Sequence, residues 1–325
     1  MSFFGGGTDM PEFFNEGYGS VISTTFDKYV YVTVRHLPRF FDYATEVIYS
    51  KMERVKNIDE IVHPMVRNAI KMLDMDELHI AYDADLPARS GLGTSSTFAV
   101  GLLNAFHCLK GKYASKKQLA DEAIKLERKL CNEAGGWQDQ IAASFGGFNR
   151  IDFKNNSYIV SPIIISPQRK KELNDNLMLF FTGFTRFSAE IQTSTKLTLD
   201  EKKKQLNEML KLVDEAQDIL ENSNRDMNDF GRLLDKTWKL KRQTGSQIST
   251  GSIDELYDKG IKAGALGGKL LGAGGGGFLL FYVEKSKQNN VRNELKNLME
   301  VPFEFENEGA KVIYYAPETF EKKNK

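Results

Sequence analysis

Only two cysteines, Cys108 and Cys131, occur in the 325 residues of the chain. That is too few for a disulfide framework, and such usage fits a reducing compartment. No apolar run approaches the roughly 18 residues of a membrane-spanning helix. The opening Met1-Ser2-Phe3-Phe4-Gly5 has neither the charged nor the apolar region of a signal peptide. A cytoplasmic protein without membrane attachment is expected. Charge of one sign is not in excess either. Lys plus Arg and Asp plus Glu number 44 each, so the overall balance draws the chain neither to nucleic acid nor to an anionic membrane. The four histidines, His36, His63, His79 and His107, show no metal-ligand spacing. No G-x-S-x-G nucleophile elbow is present, and neither cysteine neighbours a nucleophilic pattern. The chain also lacks internal repeats. The sequence sets no oligomeric state.

Glycine is what the chain has, gathered in three clusters. The first to weigh is Pro87-Ala-Arg-Ser-Gly-Leu-Gly-Thr-Ser-Ser96, which runs straight into an apolar helix pattern. Gly91 and Gly93 allow a tight turn and close backbone approach. The free N–H groups of a helix start favour an anion, and Thr94, Ser95 and Ser96 add hydroxyls for phosphate or magnesium. The same residues serve equally as a helix cap. The second cluster, Gly272-Ala273-Gly274-Gly275-Gly276-Gly277, satisfies G-x-G-x-x-G by spacing. A dinucleotide fingerprint must follow a strand and open a helix, but here a strand pattern, Phe278–Val283, follows. What remains is a loop closing over a ligand, or a turn before a buried strand. Neither cluster ends in G-K-[ST], which argues against a P-loop NTPase. The third, Gly5-Gly6-Gly7-Thr8-Asp9, reads as a terminal turn or as backbone beside a sugar whose hydroxyls Asp9 would bind.

Around these clusters the pattern is mixed. Ser20–Thr25, Tyr29–Val34, Glu46–Ser50 and Leu78–Tyr82 read as strands, with a short helix carrying Ile61, Met65, Ala69, Ile70 and Leu73 between them. Phe98 to Phe106 is apolar nearly all round, as a buried helix would be. Ser115 and Gln118 resemble a capping box, opening a helix with Leu119, Ala123, Leu126 and Leu130 on one stripe. Asn155-Asn156 suggests a turn before a strand at Ile159–Ile165. Regular pattern is interrupted over 155–175, and the boundary between two domains, 1–165 and 166–325, is placed there. Leu177–Thr182 reads as a strand. Leu206 to Leu220 and Phe230 to Trp238 keep helical spacing. After the glycine-rich loop come strand Phe278–Val283, helix Val291–Met299, and strands near Phe303–Phe305 and Lys311–Tyr315, part of a split βαβ arrangement.

Two acids stand out. Glu127 borders the apolar stripe of its helix, as a solvated residue or as a ligand facing a polar site. Asp139, in Gly135-Gly136-Trp137-Gln138-Asp139-Gln140, is an N-cap or a carboxylate aimed at a substrate hydroxyl.

Together these segments resemble the galactokinase, homoserine kinase, mevalonate kinase and phosphomevalonate kinase superfamily. Its P-x-x-x-G-L-G-S-S-A motif is matched by Pro87–Ser96, with Thr94 in the first Ser place and Ser96 in the Ala place. Its G-A-G-x-G-G motif is matched by Gly272–Gly277. Ser2–Pro11, Glu127–Gly147 and Thr182–Arg186 are similar to the heptose 7-phosphate kinase and fucokinase branch. The resemblance implies an α+β fold with a ribosomal-protein-S5-like N-terminal domain and a ferredoxin-like C-terminal domain. It implies ATP and Mg2+ as cofactors, with Gly91, Leu92, Gly93, Thr94, Ser95, Ser96, Gly272, Ala273, Gly274 and Gly275 holding the nucleotide. Ser95 and Glu127 match metal-binding positions, Asp139 the acid at the accepting hydroxyl, and Gly7, Thr8 and Asp9 sugar contacts. The expected reaction is phosphorylation of the anomeric hydroxyl of D-glycero-D-manno-heptose 7-phosphate, a small sugar phosphate. Arg186 is the chosen cation for its phosphate, with Arg89 and Lys28 as rivals. Alternatives are a kinase for fucose, galactose or an N-acetylhexosamine, or a catalytically silent sugar sensor. Relatives carry a Pro-Leu-Arg-Ile-like strand just before Ser-Phe-Phe-Gly. Met1 falls in the Ile place, so that strand and its Arg are expected to be missing.

Overall fold

The computed structural model describes residues 1–38, 40–88, 90–183, 199–245, 248–272 and 274–316, with side chains in the helix that opens at 199 described from 202 onward. The chain begins with strand β1 (Ser2–Phe4), followed by a single helical turn α1 (Pro11–Phe14) and strand β2 (Gly19–Phe26). β1 lies antiparallel to β2, with Phe4 opposite Ile22. Ser2–Phe4 form a strand in their own right, with the apolar Phe3 and Phe4 both fully buried in the core.

Strands β3 (Val30–His36), β4 (Thr45–Ile48), β5 (Met52–Val55) and β6 (Leu78–Ala84), with helix α2 (Pro64–Met72) between the last two, form one four-stranded sheet in the order β3-β6-β4-β5. Helix α3 (Thr94–Leu109) packs beneath it. Its Phe98, Val100, Leu102, Leu103 and Phe106 are all buried, as an all-round apolar helix should be.

Helix α4 (Lys116–Ile124) is capped by Ser115, whose hydroxyl accepts from the Gln118 amide. Gln118 turns its side chain to Glu122 rather than back to the cap, so only half of the expected box forms. The helix then widens into a π turn, Lys125–Leu130. Wider pitch rotates the following residues relative to an α-helix. Glu127 is thereby buried, and Leu130, expected on the apolar stripe, is 39% exposed. Helix α5 (Gln138–Phe145) leads into β7 (Phe148–Lys154) and β8 (Ser157–Pro162), which extend the first sheet as β1-β2-β7-β8. Asn155 and Asn156 make the turn between them, both with left-handed φ.

Where an interrupted pattern was expected, Ser166 caps helix α6 (Pro167–Asn176) through its hydroxyl and the Arg169 amide. Strand β9 (Leu177–Phe181), helices α7 (Leu199–Glu221), α8 (Asn228–Arg242) and α9 (Gly251–Lys262), and strands β10 (Gly267–Leu270) and β11 (Phe278–Tyr282) follow. Helix α10 (Gln288–Glu294) and strand β12 (Met299–Glu300) complete a sheet ordered β10-β11-β9-β12. The order of these strands in the sheet and their two helical crossovers make a ferredoxin-like split βαβ unit. The helix expected over Val291–Met299 ends at Glu294, because the chain must turn there to bring Met299 opposite Phe181.

Strand β13 (Phe305–Glu306) leaves that sheet and pairs with β2, Phe305 opposite Phe26. No strand forms at Lys311–Tyr315. Its apolar side chains have no sheet face to cover, and Ile313 and Tyr314 are 75% and 83% exposed. One core serves both halves of the molecule: Phe3 and Phe4 of β1 pack edge-on against Phe230 of α8, at ring distances of 5.3 and 5.0 Å.

Candidate active site

Gly93 caps α3 in the left-handed conformation, φ 72°, and among the described residues no side chain caps the first amides of the helix. The Thr97 amide and hydroxyl both donate to the Gly93 carbonyl at 2.9 Å. The amides of Thr94, Ser95 and Ser96 precede the first intrahelical bond, so they point outward at the positive end of the helix. A helix capped by glycine rather than by a hydroxyl leaves that anion site open. Ser95 is exposed, whereas Ser96 is buried.

The second glycine loop lies against this cradle. A Cβ on Gly277, whose φ is +117°, would stand 2.0 Å from the Ser90 carbonyl oxygen. A Cβ on Gly91 would stand 2.7 Å from that of Leu271. Only glycines let the two backbones meet so closely. Thr182 holds the far end of the loop, its amide and hydroxyl both donating to the Gly277 carbonyl at 2.9 Å. Lys241 holds the near end by donating to the Gly272 carbonyl at 2.7 Å. The Ser90 hydroxyl, buried where the two loops touch, has no hydrogen-bond partner among the described residues. Gly274 and Gly275 have left-handed φ. Ala273 lies outside the described residues.

Two carboxylates reach the cradle from α5 and the π turn. Trp137, not Asp139, is the N-cap of α5, so Asp139 sits in the first turn with its side chain directed across to α3. A Cβ on Gly93 would be 3.3 Å from the Asp139 carboxyl carbon. Glu127 accepts from the Ser96 hydroxyl at 2.8 Å and from the Gln140 side-chain amide. Burial pushes the Glu127 carboxyl up to about 7, against the pull of those two hydrogen bonds and with added repulsion from Glu133 and Asp139.

The first glycine cluster closes the other side. Asp9, 2% exposed, accepts from the Gly7 amide at 2.9 Å and the Gln138 amide at 3.3 Å. Its carboxyl is pushed above the ordinary range by burial, while those amides and Lys241 draw it back down. Gly136 makes room for it, since a Cβ there would overlap Asp9 Oδ2. Thr8 is fully buried, and its hydroxyl lies between the carbonyls of Gly5 and Ser20, at 2.8 and 2.9 Å. It also accepts from the Ser20 amide. These bonds make Thr8 a tie for the loop. Around Gly6, Ser2 Oγ and Gln138 Oε1 are buried with no hydrogen-bond partner among the described residues.

The cations expected for an anionic acceptor are placed less fully. Arg186 and Arg89 lie outside the described residues. Lys28 pairs with Asp27 at 2.9 Å and lines, together with Gly93, Thr94 and Asp139, a cavity of about 740 Å³. Sequence reasoning missed Gln140, Lys241 and Lys269. None carries a local signature, because each acquires its partner only across the fold.

The oxygen donors Ser95 and Glu127 suit a hard divalent cation. Glu127 is a buried carboxylate held by a hydroxyl and an amide, and the main charges acting on it among the described residues are the acids Glu133 and Asp139, so a divalent ion would supply a counter-charge. The donor chemistry of these oxygens suits Mg2+, while among the described residues no group of three or more His, Cys, Asp or Glu gathers to hold a metal ion. No helix among the described residues is long and apolar enough to cross a membrane.

Two family models match the chain: the GHMP kinases N terminal domain over residues 60–147 and the GHMP kinases C terminal domain over 209–301. Among known proteins, the D-glycero-alpha-D-manno-heptose 7-phosphate kinase of Campylobacter jejuni is 30% identical over 323 residues, covering 94% of each chain. The L-fucokinase/L-fucose-1-P guanylyltransferase of Bacteroides fragilis is 34% identical over 218 residues, 64% of this chain and 22% of that longer protein. Among solved structures, a D-glycero-D-manno-heptose 1-phosphate kinase from Bacteroides thetaiotaomicron superposes with a TM-score of 0.79, at 25% identity and 97% coverage of both chains. With both family models matched in order and a full-length relative at this identity, the chain belongs to the GHMP kinase family.

Proposed function

We propose that the protein is an ATP-dependent sugar kinase that phosphorylates the anomeric hydroxyl of D-glycero-D-manno-heptose 7-phosphate, giving the 1,7-bisphosphate. One observation carries the reading: the Asp139 carboxyl stands beside Gly93 at the open N-terminus of α3. A proton acceptor and an anion cradle thus face the same space. Phosphoryl transfer asks for little else than positioning and charge neutralisation. In this reading residues 1–165 supply cradle, acceptor loop and acids, and 166–325 supply the loop that covers the phosphates.

The cradle amides of Thr94 to Ser96 and the loop Gly272 to Gly275 hold the triphosphate. Asp9, Gly7 and the unpartnered Ser2 and Gln138 atoms bind sugar hydroxyls, with Thr8 holding their loop in place. Asp139 orients the anomeric hydroxyl and takes its proton. The hydroxyl oxygen bonds to the γ-phosphorus, the bond from that phosphorus to the bridging oxygen breaks, and ADP leaves with the electron pair. Mg2+, held by Ser95 and Glu127, would neutralise phosphate charge. Arg186 remains our choice for the 7-phosphate.

The heptose 7-phosphate kinase and heptose 1-phosphate kinase relatives support a heptose phosphate as acceptor, and the fucokinase relative supports L-fucose as the second candidate. Magnesium-dependent ADP release over a panel of sugars with and without phosphate tests the reading. Turnover with heptose 7-phosphate and none with the unphosphorylated heptose is expected. Turnover confined to free sugars overturns the assigned substrate, and no turnover with any sugar overturns the kinase.

A further inference from the structure

Lys269 lies in the middle of β10, 2% exposed, with its amino group inside the protein, where burial and then the Lys241 charge push its pKa well below the ordinary lysine value. It donates to the Ser2 carbonyl at 2.8 Å and the Phe3 carbonyl at 3.0 Å. Both acceptors belong to β1, which leads directly into the acceptor loop Gly5–Asp9. β10 itself leads into the glycine loop that begins at Gly272. One side chain therefore joins the strands on which the two loops hang.

Lys241 makes a second connection between the same loops. From the last turn of α8 it donates to Gly272, the first residue of the glycine loop, at 2.7 Å, and its charge acts on the Asp9 carboxyl. The base of this clasp is stiff. A Cβ on Gly267 of β10 would stand 1.9 Å from the Gly231 carbonyl oxygen of α8, so strand and helix touch backbone to backbone.

A buried ammonium is a costly way to stabilise a fold, and apolar replacements of buried charges are often neutral or better for stability. A buried amino group that donates to two carbonyls, by contrast, fixes where two backbone segments sit relative to each other. We propose that Lys269 and Lys241 are positioning residues that couple the phosphate-donor loop to the acceptor loop, so that nucleotide and sugar each strengthen the other's binding. The proposal rests on the kinase reading and adds to it a linkage between the two substrate sites.

The test is calorimetric titration of heptose 7-phosphate with and without the β,γ-imido analogue of ATP and Mg2+. It is applied to the wild type, Lys269→Met and Lys241→Met, with thermal unfolding recorded for each. The wild type is expected to bind the sugar about fivefold or more tightly when the nucleotide analogue is present. Both variants are expected to lose most of that gain, and Lys269→Met, which makes no hydrogen bond to the glycine loop itself among the described residues, to bind the analogue alone about as the wild type does. Equal synergy in wild type and variants, or none in the wild type, overturns the proposal. Should Lys269→Met fail to fold, the partly exposed Lys241 carries the test. If ADP release identifies L-fucose or D-galactose as the acceptor, the same titrations use that sugar. Failure of every sugar to turn over overturns the kinase reading and the linkage together, whereas turnover without synergy overturns the linkage alone.

Discussion

The two glycine loops of the site have similar composition and opposite consequences. Gly91–Ser96 opens a helix, and its last three amides end at a positive dipole with Gly93 as a bare cap. Gly272–Gly277 opens a buried strand and has no dipole to offer. Its glycines carry left-handed φ values and lie against Ser90. The first loop supplies charge complementarity and the second supplies shape. Glycine content alone says nothing about which role a loop takes; the element that follows does.

Asp139→Ala should separate chemistry from both loops. Loss of the proton acceptor is expected to lower the rate of ADP release at least about a hundredfold, with the melting temperature near that of the wild type. Retained turnover would remove Asp139 from the mechanism. Next in size comes the contrast between Gly277→Ala and Gly93→Ala. At Gly277 a Cβ meets the Ser90 carbonyl oxygen at 2.0 Å with φ at +117°, and a loss of about 3 kcal/mol is expected in denaturant unfolding. At Gly93 the nearest atoms belong to Asp139 at 3.3 to 3.5 Å, so the left-handed cost of about 1 kcal/mol dominates, and activity should fall further than stability. Equal stability losses would break the distinction between a shape loop and a charge loop.

Glu127 sharpens the comparison through pH. Its folded value of about 7 lies above its ordinary value of 4.5, so the native state binds the extra proton. The stability this contributes is complete below the unfolded value and is lost as pH rises to about 7. Glu127→Gln, which keeps the shape without the charge, should therefore gain stability relative to the wild type between pH 5 and 7, and no further gain should follow above that range. Thermal unfolding across pH reads this directly, and a flat difference would show that the carboxyl titrates normally. The smallest effect is expected at Leu130. Its exposure in the π turn predicts a change within about 0.5 kcal/mol on Leu130→Ala, whereas a buried leucine on a continuous α-stripe would cost about 2 kcal/mol or more.

Local chemistry was legible where it decides local structure. Ser115 caps its helix, the two asparagines turn the β7–β8 hairpin, and the apolar run of α3 is buried. Misreadings came where distant contacts override pattern. Val291–Met299 keeps helical residues but ends early to reach β9. Lys311–Tyr315 is rich in β-branched and aromatic residues like a strand yet forms none. The run from Pro167 lacked a clear apolar stripe and still forms α6 beneath its Ser166 cap.

By itself, then, the sequence determined the three glycine clusters, the helices with strong periodicity and the acids near the cradle, because these depend on residues a few places apart. Only the tertiary structure decided which of those residues meet. Burial turns Glu127 inward through a π turn, sets Asp139 against Gly93, occupies Thr8 with backbone partners and places the Lys269 amino group on β1. The Asp139–Gly93 and Lys269–β1 contacts join segments distant along the chain, and packing energy, not local preference, selects them.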